Sequence, residues 1–262
     1  MLDLYKKLMV ANLRSQMQYK TNFLINAVTN AALMVLDFLL LAAILLRFDD
    51  VKGWNLYEIG LLYGVTSAGM ALYRIFSVEI HEFEKYIVNG EFDQLLTRPV
   101  SPLFLLLTRR VDLGRIGGFA QGIGVLIFSL VQLFVQGKAS LLLLLYMPIA
   151  ILLGAILFFS ISLVTATSAF WTTQVKDLQV FTLYAPANAG SYPISLYPAW
   201  LKSVFLGLLP VGFIVYIPAL YLLGKGGSWF NLLLAPAVVL LYFAFSLWFW
   251  RFGIKFYHST GS

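Results

Sequence analysis

Long apolar runs alternate along this chain with short polar stretches, and one polar stretch, residues 79–110, is much longer than the others. A run of about 20 apolar residues is long enough to cross a hydrocarbon core of roughly 30 Å as a helix. The pattern therefore predicts an all-α integral membrane protein with six transmembrane helices. They lie over residues 23–46, 58–76, 114–135, 141–170, 178–200 and 232–250.

Residues 1–21 precede the first span and have an amphipathic pattern. Leu2, Tyr5 and Met9 share one helical face, with Lys6 and Lys7 largely elsewhere. This pattern is typical of a helix that lies along the inner membrane surface with its cations near anionic headgroups. A signal peptide is excluded because the following apolar run is too long and no small-residue cleavage site closes it.

Prolines and polar residues interrupt the fifth predicted span, at Pro186, Asn188 and Pro193. The next apolar stretch, residues 201–223, carries Pro210 and Pro218. We expect residues 201–223 to be a re-entrant segment that enters the outer leaflet and returns, and the alternative is a full crossing that makes seven spans. Broken backbone at membrane depth must be covered by protein or must line a cavity, so Pro186, Asn188, Pro193 and Pro210 are candidate pathway or gate residues.

The polar stretch 79–110 begins as an amphipathic helix, with Ile80, Phe83 and Ile87 at spacings of three and four. Asn89-Gly90 predicts its end, because glycine favours the left-handed conformation that closes a helix. A new helix is expected at Ser101-Pro102, with serine as cap and proline in the first turn.

Composition agrees with the membrane assignment. Of the 262 residues, 60% are hydrophobic and 11% are charged, against roughly 25% charged in an average soluble domain. The basic residues cluster at the ends of apolar runs and not along one face, so nucleic acid is not an expected partner. Cysteine is absent, which excludes disulfides, thiolate metal sites and a cysteine nucleophile.

Charge asymmetry predicts the orientation. With both termini in the cytoplasm and 201–223 re-entrant, thirteen cations lie inside and five outside, as the positive-inside rule requires. The inner set is Lys6, Lys7, Arg14, Lys20, Arg74, Lys85, Arg98, Arg109, Arg110, Arg115, Lys176, Arg251 and Lys255; the outer set is Arg47, Lys52, Lys138, Lys202 and Lys225. A seventh span would move Arg251 and Lys255 to the less favoured side.

Catalytic motifs are missing. The sequence has no phosphate-binding G-x-x-x-x-G-K-[ST] loop, no H-E-x-x-H and no G-x-S-x-G, so no catalytic residue, metal site or cofactor is assigned to this chain. Among the charged residues, only Asp37 lies well inside a predicted span, and placing a charge at the centre of a membrane helix costs about 2.5–3.5 kcal/mol. It either lines a substrate path or hydrogen-bonds a neighbouring helix or subunit. The glycines at positions 114, 118 and 122 fit internal packing and dimerisation equally well.

The order of these parts resembles the type-2 permease family of ATP-binding-cassette (ABC) exporters. Within the polar stretch, residues 90–99, GEFDQLLTRP, look like the G-x-F/L-D-x-x-L-x-R-P signature of a bacterial subgroup of about this length. The resemblance covers nearly the whole chain by topology, whereas the motif covers ten residues.

The resemblance implies that residues 79–110 form a coupling region that inserts into a separate cytoplasmic ATPase subunit, which binds ATP and Mg²⁺. The contact residues it implies are Phe83, Ile87, Phe92, Asp93, Leu96 and Arg98. The alternative is an amphipathic helix packed on the membrane or on its own protein. It also implies a bacterial cytoplasmic membrane and a second permease chain, the same or homologous.

The expected function is therefore that of the permease subunit of an ATP-driven exporter, for an amphipathic, lipid-like, peptide or drug-like substrate. Apolar pathway walls suit all of these. The competing classes are a membrane assembly subunit without transport, and a channel or secondary transporter.

Overall fold

The computed structural model describes residues 50–258, together with ten helical positions scattered between Thr21 and Leu39. The predicted interface helix 1–21 and most of the predicted span 23–46 lie outside the described residues. Among residues 50–258, regular structure is helical apart from one isolated β-bridge between Val51 and Trp54.

Helix α1, Leu56–Phe76, is the central span of the described fold. The Asn55 side chain accepts a hydrogen bond from the Glu58 backbone N–H, and the Glu58 carboxylate accepts one from the Asn55 backbone N–H at 2.8 Å. This reciprocal capping box satisfies two N–H groups that a helix start otherwise leaves unpaired. The most apolar part of α1 is 78% buried, so α1 is surrounded by other elements.

Four short helices follow α1 in the polar stretch. They are α2, Val78–His81; α3, Glu84–Val88; α4, Phe92–Leu96; and α5, Pro102–Arg109. The predicted breaks occur where expected: Gly90 has φ of 69° after α3, and the Ser101 side chain caps α5. The single amphipathic helix predicted at the start of the stretch is instead two helices, because the chain turns at Glu82-Phe83.

Helices α6, Ile116–Val135, and α7, Leu141–Thr172, pack against α1. At 32 residues, α7 is about 48 Å long, well beyond a hydrocarbon core of about 30 Å. A helix of this length crosses such a core either tilted or with its ends projecting. It ends in a γ-turn at Thr173, where φ is 64° and the Gln174 N–H donates to the Thr172 carbonyl.

The fifth predicted span, 178–200, is interrupted around Pro193 and Pro198, but the interruption predicted at Pro186 and Asn188 is wrong, because both residues lie within a continuous helical run over residues 176–190. Helix α8, Lys176–Gln179, continues through a π-helical turn, Val180–Tyr184, into α9, Ala185–Gly190. After a 3₁₀ turn at Ile194–Leu196, α10, Ala199–Ser203, continues into a second π-helical turn, Val204–Leu208. A 3₁₀ turn, Val211–Phe213, precedes α11, Tyr216–Leu222. The helical pieces Ala199–Leu208 and Val211–Leu222 meet at 73°.

Helix α12, Asn231–Gly253, packs along α7 in the same direction. The Tyr146 hydroxyl donates to the Leu232 carbonyl at one end, and the Phe170 and Trp250 rings lie 5.6 Å apart at the other. Only 17% of the most apolar stretch of α12 is buried inside the protein. Since α7 and α12 run in parallel, the tail after α12 lies at the same end of the molecule as the polar stretch 79–110.

Four described helices are long and apolar enough to span a membrane, and the bent pair supplies a fifth candidate. The four are Leu56–Phe76, Leu113–Val135, Leu141–Thr172 and Asn231–Phe256. They match the predicted spans 58–76, 114–135, 141–170 and 232–250. The total of six spans and the re-entrant assignment stay predictions.

Candidate functional site

The polar stretch 79–110 is fixed to the rest of the protein by a cluster of aromatic rings. Phe83 and Phe92 are fully buried, with ring centroids 5.4 Å apart and nearly perpendicular. The Phe83 ring lies 5.1 Å from that of Trp250 on α12, and the Phe92 ring lies 5.3 Å from that of Phe170 on α7. Edge-to-face aromatic pairs add about 0.5–1.5 kcal/mol each beyond burial, so the stretch is a folded platform on two membrane helices.

This burial decides which predicted contact residues reach the surface. Phe83, Ile87 and Phe92 are at most 4% exposed, so their side chains pack on their own protein. Leu96 is 42% exposed and Arg98 is exposed. Asp93 is half-buried, and burial of the Tyr257 hydroxyl together with the nearby Asp93 carboxylate raises the pKa of Tyr257 to about 12.

Glu79 is the buried acid of the platform, with 4% of its side chain exposed. Its carboxylate accepts hydrogen bonds from the Lys85 ammonium and the Tyr86 hydroxyl, each at 2.6 Å. Burial and this carboxylate raise the pKa of Tyr86. Burial lowers the pKa of Lys85, but the contacts of its ammonium group with Glu79 and Glu82 outweigh burial, so the pKa of Lys85 is raised. The buried carboxylate is therefore paired.

Glu84 connects the platform to the start of residues 176–200, which we call the broken segment. Its Oε2 atom accepts hydrogen bonds from the backbone N–H groups of Val175 at 2.6 Å and Lys176 at 2.8 Å. These N–H groups lie at the start of α8, where a helix has no internal partners for them and favours negative charge. A side chain of α3 thus caps a helix 91 residues further along the chain.

A second connection runs through His81. The Tyr184 hydroxyl, in the first π-helical turn, lies 3.0 Å from His81 Nε2 and accepts a hydrogen bond from Arg74 at 2.5 Å. The Gln179 amide donates to the His81 carbonyl at 2.7 Å. Burial lowers the pKa of His81 to about 3, and the cations of Arg74 and Arg115 add to this effect. The ring is therefore neutral under physiological conditions, because the nearby guanidinium disfavours a second positive charge.

The predicted gate residues occupy two environments. Pro186, Pro193 and Pro210 are buried, whereas Asn188 is exposed. The broken segment is held against α1 by the Thr66 hydroxyl, which donates to the Gly190 carbonyl at 3.1 Å. Asp37 lies outside the described residues.

Sequence reasoning missed an ionic cluster at the opposite end of the molecule. Glu58 is 2% exposed and lies 2.9 Å from the Lys225 ammonium and 3.9 Å from that of Lys138. Lys225 also donates to the Gly53 carbonyl and lies over the Trp54 ring. The N-x-x-E capping pattern at Asn55 was a usable signal for Glu58, but nothing in the sequence indicated its distant lysines.

Among residues 50–258, no group of three or more histidine, aspartate or glutamate side chains is arranged to hold a metal ion. The buried and half-buried polar groups of the platform, among them Glu79, His81 and Glu84, are occupied in structural contacts. What this arrangement offers is an exposed polar surface with two hydrogen-bonded links into the membrane region.

A family model described as ABC-2 family transporter protein matches residues 31–261. The match includes the platform, the four long apolar helices and the broken segment. No curated protein matches the chain.

Proposed function

Since the chain belongs to the ABC-2 family of transporter proteins, and is thus a multi-pass permease subunit that pairs with an ATP-binding-cassette subunit, we propose that residues 79–110 receive that ATPase and that the complex exports its substrate. ATP and Mg²⁺ bind to the partner in this proposal. A second permease chain, the same or homologous, completes the pathway.

The observation that carries this proposal is the pair of links from the platform to the broken segment. Glu84 holds the start of α8, and His81 lies against Tyr184 in the π-helical turn. Movement of the platform therefore acts on the segment that begins at α8, whose helix contains a π-helical turn and ends before Pro193. π-Helical turns recur at functional sites, and interrupted helices bend more easily than regular ones.

The mechanism follows from these contacts. ATP binding closes the ATPase subunits and presses on the platform surface at Leu96 and Arg98. The aromatic cluster transmits the force to α7 and α12, and the Glu84 and His81 links transmit it to the broken segment. The substrate route then opens outward along that segment.

The proposed substrate is amphipathic: lipid-like, peptide or drug-like. A groove of about 360 Å³ between α1, α7 and α12 supports this class because its walls are apolar. Leu72, Phe76, Ile156, Phe159 and Phe243 contribute to its lining.

Co-purification tests the ATPase contact. Leu96→Asp combined with Arg98→Glu changes only exposed side chains, so we expect the permease to fold and insert but to lose its ATPase. Lys202→Glu is the matched charge reversal at the opposite end and should retain the ATPase. If the double variant still binds the ATPase as tightly as wild type does, the platform is not the contact.

We further propose that residues 178–200 and 201–223 form the gate at the outward opening. Tyr197 of the first segment contacts Phe205 of the second. Their rings lie 5.3 Å apart, within reach of a short bifunctional thiol reagent. Because the chain has no cysteine, Tyr197→Cys with Phe205→Cys supplies the only thiols. Crosslinking should stop export and leave the ATPase bound, whereas either single variant should be unaffected by the reagent. Undiminished export after complete crosslinking would remove the gate.

A further inference from the structure

The platform end of α12 carries an exposed row of aromatic rings. Trp248, Phe252 and Phe256 follow at spacings of four and are 59%, 39% and 40% exposed. Their ring centroids lie 5.8 Å apart for Trp248 and Phe252, and 4.9 Å apart for Phe252 and Phe256. Trp171, at the end of α7 and 45% exposed, lies 5.5 Å from Phe256 and 6.3 Å from Phe252.

Two exposed cations lie beside this row. Arg251 and Lys255 follow Trp248 and Phe252 at a spacing of three, so they form an adjacent stripe on the same side of the helix. Among residues 50–258, every carboxylate that forms an ion pair does so with a cation other than these two. We call Trp171, Trp248, Arg251, Phe252, Lys255 and Phe256 the aromatic–cationic patch.

The depth of the patch follows from its neighbours. Trp250, within the same helical turns, contacts Phe83 of the platform, and Tyr257, one residue beyond the patch, contacts Phe92. The patch thus lies where the apolar helix meets the polar platform, at the level of lipid headgroups. Tryptophan prefers this level because its ring is amphipathic, and arginine and lysine extend from it toward the phosphates.

We propose that the aromatic–cationic patch is a binding site for an anionic phospholipid. The headgroup phosphate pairs with Arg251 and Lys255. The glycerol and the upper part of an acyl chain pack on the rings of Trp171, Phe252 and Phe256. The exposed positive charge beside an exposed aromatic surface favours this occupant over a zwitterionic lipid, which offers no net charge, and over an apolar protein helix, which would desolvate both cations unpaired. The site shares no residue with the proposed ATPase contact at Leu96 and Arg98.

Fluorescence quenching in nanodiscs tests the proposal with the full chain. The probe is phosphatidylglycerol with brominated acyl chains, compared at equal mole fraction with brominated phosphatidylcholine in a phosphatidylcholine bilayer. The Trp171 signal is the difference between wild type and Trp171→Phe, which keeps an aromatic ring. Arg251→Gln with Lys255→Gln removes the cations, and Lys52→Gln with Lys202→Gln is the matched loss of two cations at the other end.

We expect a roughly tenfold higher association constant for phosphatidylglycerol than for phosphatidylcholine at Trp171 at low salt, since both cations attract the net negative charge of the phosphatidylglycerol headgroup. The Arg251→Gln, Lys255→Gln variant should lose this preference, the matched variant should keep it, and added salt should weaken it. Equal quenching by both lipids in wild type, an unchanged preference in the Arg251→Gln, Lys255→Gln variant, or shielding of Trp171 from both lipids would each overturn the site.

Discussion

At the scale of single residues, glycines decide how closely the membrane helices approach. A Cβ atom at Gly64 would lie 2.8 Å from the Leu126 backbone nitrogen, and one at Gly122 would lie 2.8 Å from that of Ala68. These contacts are backbone to backbone between α1 and α6, so no side chain can move aside. Gly122 therefore serves internal packing, one of the two roles that its sequence spacing allowed.

Gly122→Ala should lower the stability of the protein, because its methyl group forces α6 away from α1. Strain of this kind in a packed interior costs about 1–3 kcal/mol. Gly124→Ala, on the same helix, is the matched control, since its Cβ would meet no atom within 4 Å and alanine favours helix over glycine. Thermal unfolding in detergent should show a lower midpoint for Gly122→Ala only. Equal midpoints for the two variants would contradict the close approach.

At the scale of elements, the platform helices show how far local sequence determines structure. Helices of four or five residues such as α2, α3 and α8 are not stable alone and depend on contacts from elsewhere in the chain. The spacing of Ile80, Phe83 and Ile87 correctly identified an apolar face. It could not show that this face is covered by α7 and α12, because the same pattern suits a membrane surface or a partner protein.

The Glu84 cap of α8 gives this dependence a test. Glu84→Ala leaves the part-buried N–H group of Val175 and the exposed N–H group of Lys176 without their carboxylate, and hydrogen bonds to charged groups contribute about 1.5–3 kcal/mol. We expect hydrogen exchange at these two amides to accelerate by roughly tenfold or more. Glu91→Ala is the control, because Glu91 makes only long, exposed contacts, with Arg109 at 3.9 Å and with the Asn89 amide at 3.4 Å, and exposed pairs contribute little. Unchanged exchange in Glu84→Ala would show that the cap does not hold α8.

At the scale of the whole molecule, several of the described cations lie at two opposite ends, while the side of the membrane that each end faces stays a prediction. Lys85, Arg109 and Arg110 lie in the platform, while Lys138 and Lys225 meet at Glu58. Residues on both sides of the bent pair reach the Glu58 end: the Ser195 carbonyl accepts from Lys52, and Lys225 donates to Gly53. A segment that starts and ends at one end of the protein supports the re-entrant proposal for residues 201–223.

Thiol labelling in intact cells tests this topology. His258→Cys should be protected from a membrane-impermeant reagent, as Arg98→Cys should be, because the parallel course of α7 and α12 brings the tail to the platform end. Asp50→Cys, in the loop before α1, should react from outside. Labelling of His258→Cys from outside would instead mean that residues 201–223 cross fully and that the chain has seven spans.

The sequence by itself determined the membrane class, the approximate bounds of the four long described helices, and the platform breaks at Gly90 and Ser101. These features depend on length, hydropathy, and the local preferences of proline, glycine and capping residues. Only the tertiary structure decided that Phe83 and Phe92 are buried, that Glu84 and His81 reach the broken segment, and that Glu58 pairs with two distant lysines. Each of these depends on contacts between residues far apart in the chain, and an apolar or charged side chain carries no local mark of which distant partner will cover it.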